Sequence, residues 1–460
     1  MKAWKRWVLF ILVGAMAVAS LWQGLGTAAG KVSLPPSTVA ITRYQGDSIY
    51  SITDGEIRDL VRQAVDLAGG LASVVKPGDV VVIKPNLVEI ADFIGKRHPL
   101  PELLGGVATD RRVVRAVAEL AHEAGAAKIY VMEGSAVPTA EAFSHYGYTA
   151  ENLPFVDAII PIESDSGGWQ EKDSPRLVRV ELPDGRYESE YYLNRRYYEA
   201  DVVISVPTLK THWDAAVTGA VKNLAIGATP ANIYGGGPAD TLRWPKIPHG
   251  NMEYHAFMSD FYRCKPAKFA VMDGLVGIQR GPTPNSNYGS RDYSAQCMNM
   301  RIILASKDPV ALDVIEALVM GWDPQSVKYL QYLGADGVGN TDPANILIAG
   351  SKVRAVRKRF EGRRPGAGGQ QFSDSEPPTL KVTGAKVQAG QCFLSLEAGK
   401  DTVRVEVYID GRLAGFYREG FAEIAVDLKG YKAGKHEVEV AAYDRFLNEA
   451  VVGGLTVVKE

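Results

Sequence analysis

Cysteine is nearly missing from this chain: Cys264, Cys297 and Cys392 are the only three in 460 residues. None forms a C-x-x-C pair and no Cys/His cluster exists, so neither a zinc ribbon nor an iron–sulfur site can be drawn, and no iron–sulfur cluster is expected. Also missing are G-x-G-x-x-G, the Walker loop, G-x-S-x-G and H-E-x-x-H. Their absence removes the ordinary dinucleotide-binding, P-loop, α/β-hydrolase and zincin readings. An excess of charge of one sign is missing too. The 51 Lys+Arg stand against 53 Asp+Glu, a net charge of −2. No global field calls for nucleic acid as a partner, and any functional charge must be local.

Long apolar runs are confined to one place. Lys2, Lys5 and Arg6 precede an uncharged run from Trp7 to Trp22, and the small residues of "GTAAG" follow. That order reads as a signal peptide over residues 1–30 or, if retained, as a membrane anchor through residues 7–22. It predicts an exported protein, extracellular or held on the outer face of the cytoplasmic membrane.

The remainder is globular in composition, 46% hydrophobic and 23% charged. Over residues 31–351, short β-branched runs such as "DVVVIKPN" and "ADVVISVP" alternate with amphipathic helices. "TDGEIRDLVRQAVDLAGG" places Ile57, Leu60, Val61, Ala64 and Val65 on one face, with Thr53 and Glu56 spaced as a capping box. "TDRRVVRAVAELAHEAG" starts from a Thr109 or Asp110 cap, and "DPVALDVIEALVMG" has Asp308 at the N-cap, Pro309 at N1 and Gly321 past its end. Continuous apolar strands separated by helices predict an α/β core, a mostly parallel sheet sandwiched by helices. "RLVRVELPDGRYESEYYL" predicts an inserted hairpin turning at Pro183 to Gly185. Residues 352–378, basic and then rich in Gly, Gln, Ser and Pro, read as a linker. From 379 to 460 the period falls to two: Val403, Val405, Val407 and Ile409 alternate with polar residues and close on Asp410–Gly411. This stretch predicts a small all-β sandwich. Its run of elements resembles bacterial immunoglobulin-like modules, which implies a cell-surface partner.

Ligands of open α/β sheets bind beyond the carboxyl ends of the strands, so the residues after each apolar run carry the functional signal. Strand 80–83 is followed by Lys84 and Asn86; 129–132 by Glu133, Gly134 and Ser135; 202–206 by Lys210 and His212; 269–272 by Asp273; and 302–305 by Lys307 and Asp308. Asp214, Thr218 and Lys222 then recur at a spacing of four on an otherwise apolar helix. A buried ammonium is costly unless paired, so Lys222 is expected to face a carboxylate or a bound anion. The reading that follows is a Lys/His-lined cleft for a small anionic ligand. Lys84 and Lys210 hold the anion, His212 is the acid/base, and Lys222 stabilises developing negative charge; Asn86, Ser135 and Asn223 also contact the ligand. Glu133 and Asp273 orient the imidazole or hold a divalent metal. Each also has a structural reading: Asp110 and Asp308 as helix caps, Asn86 and Asp273 as turn residues, Glu133 and Ser135 as caps of the next helix. The long Gly/Pro/aromatic segment 228–262, with His249 and His255, reads as a lid or binding loop.

"VVIKPNLV", "TDRRVVRAVAELAHEAGA", "ADVVISVPTLKTH", "TGAVKNLAIG", "VMDGLVGIQRGP", "SKDPVALDVIEALVMGWDP" and "LGADGVG" together resemble the successive motifs of a prokaryotic family known as domain of unknown function 362. The resemblance runs from about 39 to 350 and implies no established reaction. Ferredoxin-like cysteine clusters found in some relatives are absent here, which removes support for electron transfer. Where relatives carry a G-D-G-P-like turn, this chain has Gln279 and Arg280, which weakens a metal site in that loop and adds positive charge. Two functions remain: an exported enzyme acting on a small anion, and a surface protein that binds an anion or metal without turnover.

Overall fold

The computed structural model describes residues 34–88, 106–237, 246–250, 252–282, 293–362 and 369–460. The signal or anchor segment 1–30, including the run 7–22, lies outside the described residues. No helix among those described is long and apolar enough to cross a membrane.

The α/β core is built on one large mixed sheet. Its strands are β1 (Ser37–Arg43), β2 (Val80–Lys84), β3 (Lys128–Glu133), β4 (Ala158–Pro161), β7 (Val202–Ser205), β10 (Phe269–Ile278), β11 (Cys297–Ser306) and β12 (Ile346–Gly350). They lie in the order β12-β1-β11-β10-β7-β2-β3-β4. The hairpin β5 (Leu177–Glu181) and β6 (Glu190–Asn194) is inserted before β7, as the turn residues predict. A second short hairpin, β8 (Thr208–His212) and β9 (Ala216–Val217), extends the sheet from β10.

Strand alternation divides the interior in two. Ala40, Val81, Ile83 and Val131 face the helices α1 (Asp54–Leu67) and α2 (Arg111–Glu123). Ile41, Val82, Met132 and Val203 face α3 (Gly219–Gly227), α4 (Met252–Cys264) and α5 (Pro309–Val319). The caps read from the sequence are in place. Thr53 and Glu56 form the capping box of α1, Asp110 caps α2, and Asp308 caps α5 ahead of Pro309.

The strand-tip argument fails at one strand. β11 runs antiparallel to both β1 and β10, so its carboxyl end points toward the start of β10, where Ser306 pairs with Ala270. Lys307 and Asp308 therefore leave the sheet in the opposite sense from Lys84. Lys307 lies against Gly69 at the end of α1, and Asp308 accepts the Ser37 hydroxyl at 2.7 Å. Both are structural.

The C-terminal region consists of antiparallel sheets. One holds β13 (Leu380–Gln388), β14 (Gln391–Ala398) and β17 (Glu423–Asp427); the other holds β15 (Arg404–Ile409), β16 (Arg412–Tyr417), β18 (Gly434–Tyr443) and β19 (Glu449–Lys459). Leu394, Val405, Val407 and Val440 fill the space between them. Asp410 and Gly411, with φ of 49° and 73°, make the tight β15–β16 turn.

The stretch 352–378, a linker by composition, is packed over its described part. Val353, Val356 and Phe360 are buried in the same apolar cluster as α5, and that cluster also takes in Tyr443, Phe446 and Leu447 from the β region. Arg357 donates to the Leu318 carbonyl and to Asn448. Arg404 is fully buried, donates to the carbonyls of Pro343 and Ile346, and lies 4.2 Å from the centre of the Tyr443 ring. Three apolar residues at helical spacing were hidden among Arg354, Arg357, Lys358 and Arg359, whose charges gave the stretch its solvated look.

Candidate functional site

Ending β2 on Lys84 beside Ser205 of β7, and β3 on Glu133, places a buried ion pair at the carboxyl edge of the sheet. Lys84 Nζ lies 2.6 Å from Glu133 Oε1 and donates to the Pro85 carbonyl at 2.7 Å and to Asn223 Oδ1 at 3.2 Å. Glu133 also accepts the backbone N–H groups of Leu87 and Gly134. Asn86 Nδ2 donates to the same Asn223 oxygen at 3.1 Å, and Lys210 Nζ donates to Asn86 Oδ1 at 2.7 Å and to the Val107 carbonyl at 2.6 Å. Lys84, Glu133, Asn223, Asn86 and Lys210 thus form one continuous buried network. Gly227 closes over it: a Cβ there would meet Lys84 Nζ at 2.4 Å, so the end of α3 can pass over the pair only as glycine.

Beyond that network lies a cavity of about 90 Å³ whose walls are mostly apolar, among them Leu87, Trp213 and Ile226. Asn86, Glu133, His212, Lys222, Asn223 and His249 supply its polar groups. Lys84 and Lys210 do not reach it. Expected to contact a ligand, they stand behind the wall and donate to Asn223 and Asn86, which do line it. Ser135 also stays out, its hydroxyl donating to the Val88 carbonyl.

Asp273 lies outside the cavity and is bound to backbone. Its two oxygens accept the backbone N–H groups of Asp110 and Leu275, and burial followed by the nearby Asp110 carboxylate pushes it up to about 7. Among the described residues, no group of three or more His, Cys, Asp and Glu side chains is placed to hold a metal ion.

His212 ends β8, and the chain turns back so that the N–H groups of Asp214 and Ala215 both point at its Nδ1, at 3.1 and 3.2 Å. A nitrogen that accepts two N–H groups carries no proton, so the ring is the neutral Nε2–H tautomer. Burial, and then the proximity of Lys222 and His249, which disfavours a second positive charge, hold its pKa well below the usual value. His212 is therefore a hydrogen-bond donor and not the general base that its sequence context suggested. The opposite tautomer stands nearby. His249 Nδ1 lies 2.9 Å from the Ile247 carbonyl, which can only accept, so the proton sits on Nδ1 and the lone pair on Nε2. The Tyr254 ring neighbours both imidazoles, its centroid 5.8 Å from that of His212 and 4.5 Å from that of His249. Long-range ¹⁵N–¹H spectra are expected to show Nε2–H for His212 and Nδ1–H for His249, with no titration of His212 in its ordinary range near pH 6.5. An Nδ1-protonated His212 would break this assignment.

Lys222 lies on the first turns of α3, which begins at Gly219. Asp214 and Thr218 precede the helix, so the fourfold spacing is not a helical face. The first amides of α3 are capped from another helix: Asp313 of α5 accepts Ala220 N–H at 2.5 Å and Val221 N–H at 3.0 Å, beside a Gly219 whose φ is +58°. Glu316, one turn further along α5, is buried and held well above the usual carboxylate range by burial and then by Asp313. Lys222 itself is 7% exposed, and among the described residues it has no hydrogen bond or ion pair. Burial lowers its pKa to about 8, against the opposing pull of Asp214 and Glu316. The positive end of α3 works in the same direction as burial.

Sequence reasoning set His249 apart only as part of a loop and did not foresee Asp313 or Glu316. The signal for those two was available: carboxylates in an otherwise apolar helix call for the same explanation as a lysine in one.

A curated relative, the thylakoid-associated protein sll1697 of Synechocystis, is 26% identical over 277 residues, covering 59% of this chain and 73% of that protein. Among solved structures, the lactate racemase apoprotein of Thermoanaerobacterium thermosaccharolyticum aligns at 14% identity and a TM-score of 0.32, over 61% of this chain and 58% of its own. The fibronectin(III)-like modules of Clostridium thermocellum CbhA align at 26% identity and a TM-score of 0.16, over 18% of this chain and 46% of theirs. Both alignments span less than two thirds of the solved chains. The profile described as "Domain of unknown function (DUF362)" matches residues 81–317, more than half of the 460 residues and all of the network and cavity residues named above, and the chain belongs to that family.

Proposed function

We propose that this protein is an enzyme that moves a proton on a small anionic substrate held in the cavity. One observation carries the reading: two neutral imidazoles locked in opposite tautomers share a mostly apolar cavity with Lys222, which has no hydrogen bond or ion pair among the described residues. Lys222 supplies positive charge to a carboxylate. His212 Nε2–H donates to the oxygen on which charge develops, the role of a neutral imidazole acting as an electrophile. His249 Nε2 takes the proton from the adjacent carbon. Lys84 and Lys210 hold Glu133, Asn86 and Asn223 in place, and fixed groups of this kind need no reorganisation during reaction.

The same donors would also hold an anion without turnover, and the double donation into His212 Nδ1 favours that second reading to the extent that His212 is no base. His249 separates the two. Small carboxylates, with acetate, glycolate and pyruvate as probes, are expected to raise the melting temperature of the full chain and to exchange α-hydrogen for deuterium in heavy water. His249→Gln should keep the thermal shift and lose at least tenfold of the exchange. A shift without exchange in the unaltered protein would leave only the binding function, and the absence of both effects would overturn the proposal.

The first 30 residues support a place outside the cytoplasm, and the thylakoid association of the relative fits work at a membrane. The C-terminal sheets are proposed as an immunoglobulin-like module that meets a surface partner.

A further inference from the structure

The three buried lysines of this region are chemically unequal. Lys84 is fixed by Glu133, Pro85 and Asn223, and Lys210 by Asn86 and Val107. Their lone pairs are committed as ammonium hydrogens. Lys222 has no such partners among the described residues, is more than nine-tenths buried, and lines a cavity with apolar walls. An ammonium in that setting is relieved by becoming an amine, and a desolvated neutral lysine is a strong nucleophile toward carbonyl carbon.

Resting on the reading of this cavity as a substrate site, we infer that Lys222 forms an imine with the carbonyl of a small 2-oxo acid. The Nζ lone pair bonds to the carbonyl carbon while the C=O π pair moves onto oxygen. The two amine hydrogens then leave with that oxygen as one water, and a C=N bond remains. No oxidant or reductant is needed. His212, whose Nε2 carries the proton, lines the same cavity and can polarise the oxygen, and His249, which also lines it, is the group that can relay a proton from nitrogen to the departing oxygen. Protonation of the imine restores the positive charge beside the substrate carboxylate. The volume of about 90 Å³ accommodates several water-sized groups, which fits a two- or three-carbon acid. The pKa of about 8 leaves roughly a tenth of the lysine as free amine at neutral pH.

The test is reductive trapping on the full chain with glyoxylate or pyruvate and cyanoborohydride, read by intact mass and peptide mapping. One reduced adduct per chain, located at Lys222 and forming faster as the pH rises toward 8, is the expected result. Lys222→Arg, which keeps the charge and loses the nucleophile, and Lys222→Met should each lower the labelling at least tenfold. Labelling spread over surface lysines at the rate seen in the denatured chain would overturn the imine. An absence of labelling alongside a retained thermal shift with acetate would overturn the imine and leave the anion site standing; loss of both would overturn the imine and the anion site together.

Discussion

Replacing Lys84 with Met is expected to destabilise the fold by about 3–5 kcal/mol, the usual consequence of removing one partner from a buried ion pair. The side chains of Lys84 and Glu133 are 0% and 2% exposed, so water cannot take over the abandoned carboxylate. The two backbone N–H groups on Glu133, from Leu87 and Gly134, stabilise its charge only in part. Asn223 loses a donor on Oδ1 at the same time, which loosens the link to Asn86 and Lys210. Adding Glu133→Gln should recover at least half of the loss, because the double variant buries no charge there. Chemical denaturation of the single and double variants measures the coupling directly. Equal stability of the unaltered protein and Lys84→Met would show that the pair is hydrated in solution.

Much of this network could be read from the sequence, because a charged or amide side chain directly after a buried strand has few places to go. Lys84, Asn86, Glu133, Lys210 and Asn223 were all singled out, and they do converge. Their roles were not legible. Whether a lysine touches a ligand or braces the residue that does depends on distances of a few ångströms between strands over a hundred positions apart, and no local pattern encodes them. His212 shows the same limit at the scale of one atom. Its position was legible, but the turn of the chain at Asp214 and Ala215 occupies Nδ1 and converts a presumed base into a donor. The direction of β11 could not be seen either, since an apolar run reads the same in both senses. That reversal is what removes Lys307 and Asp308 from the site.

Lys222→Met is expected to act in the opposite direction from Lys84→Met, raising stability by roughly 3 kcal/mol at neutral pH. The lysine pKa falls from 10.5 in the unfolded chain to about 8 in the fold, a difference worth roughly 1.4 kcal/mol for each pH unit. Between those two values the unfolded state binds more protons than the folded one, so the stability of the unaltered protein rises with pH across the window. Below about 8 the full penalty of a buried ammonium is present; above 10.5 it is gone. Methionine keeps the length and the packing and carries no charge, so the gain from the variant should be largest below pH 8 and shrink toward zero near 10.5. The groups that face Lys222 fix the size of the effect. Asp214 and Glu316 favour the ammonium and Lys84 opposes it, while His212 and His249 are held below their ordinary pKa. Denaturant midpoints of both proteins from pH 6 to 10 supply the comparison. A constant difference across that range, or a loss of stability in the variant at pH 7, would mean that Lys222 is a paired structural cation, and the cavity would then lose the group that makes it a site for an anion.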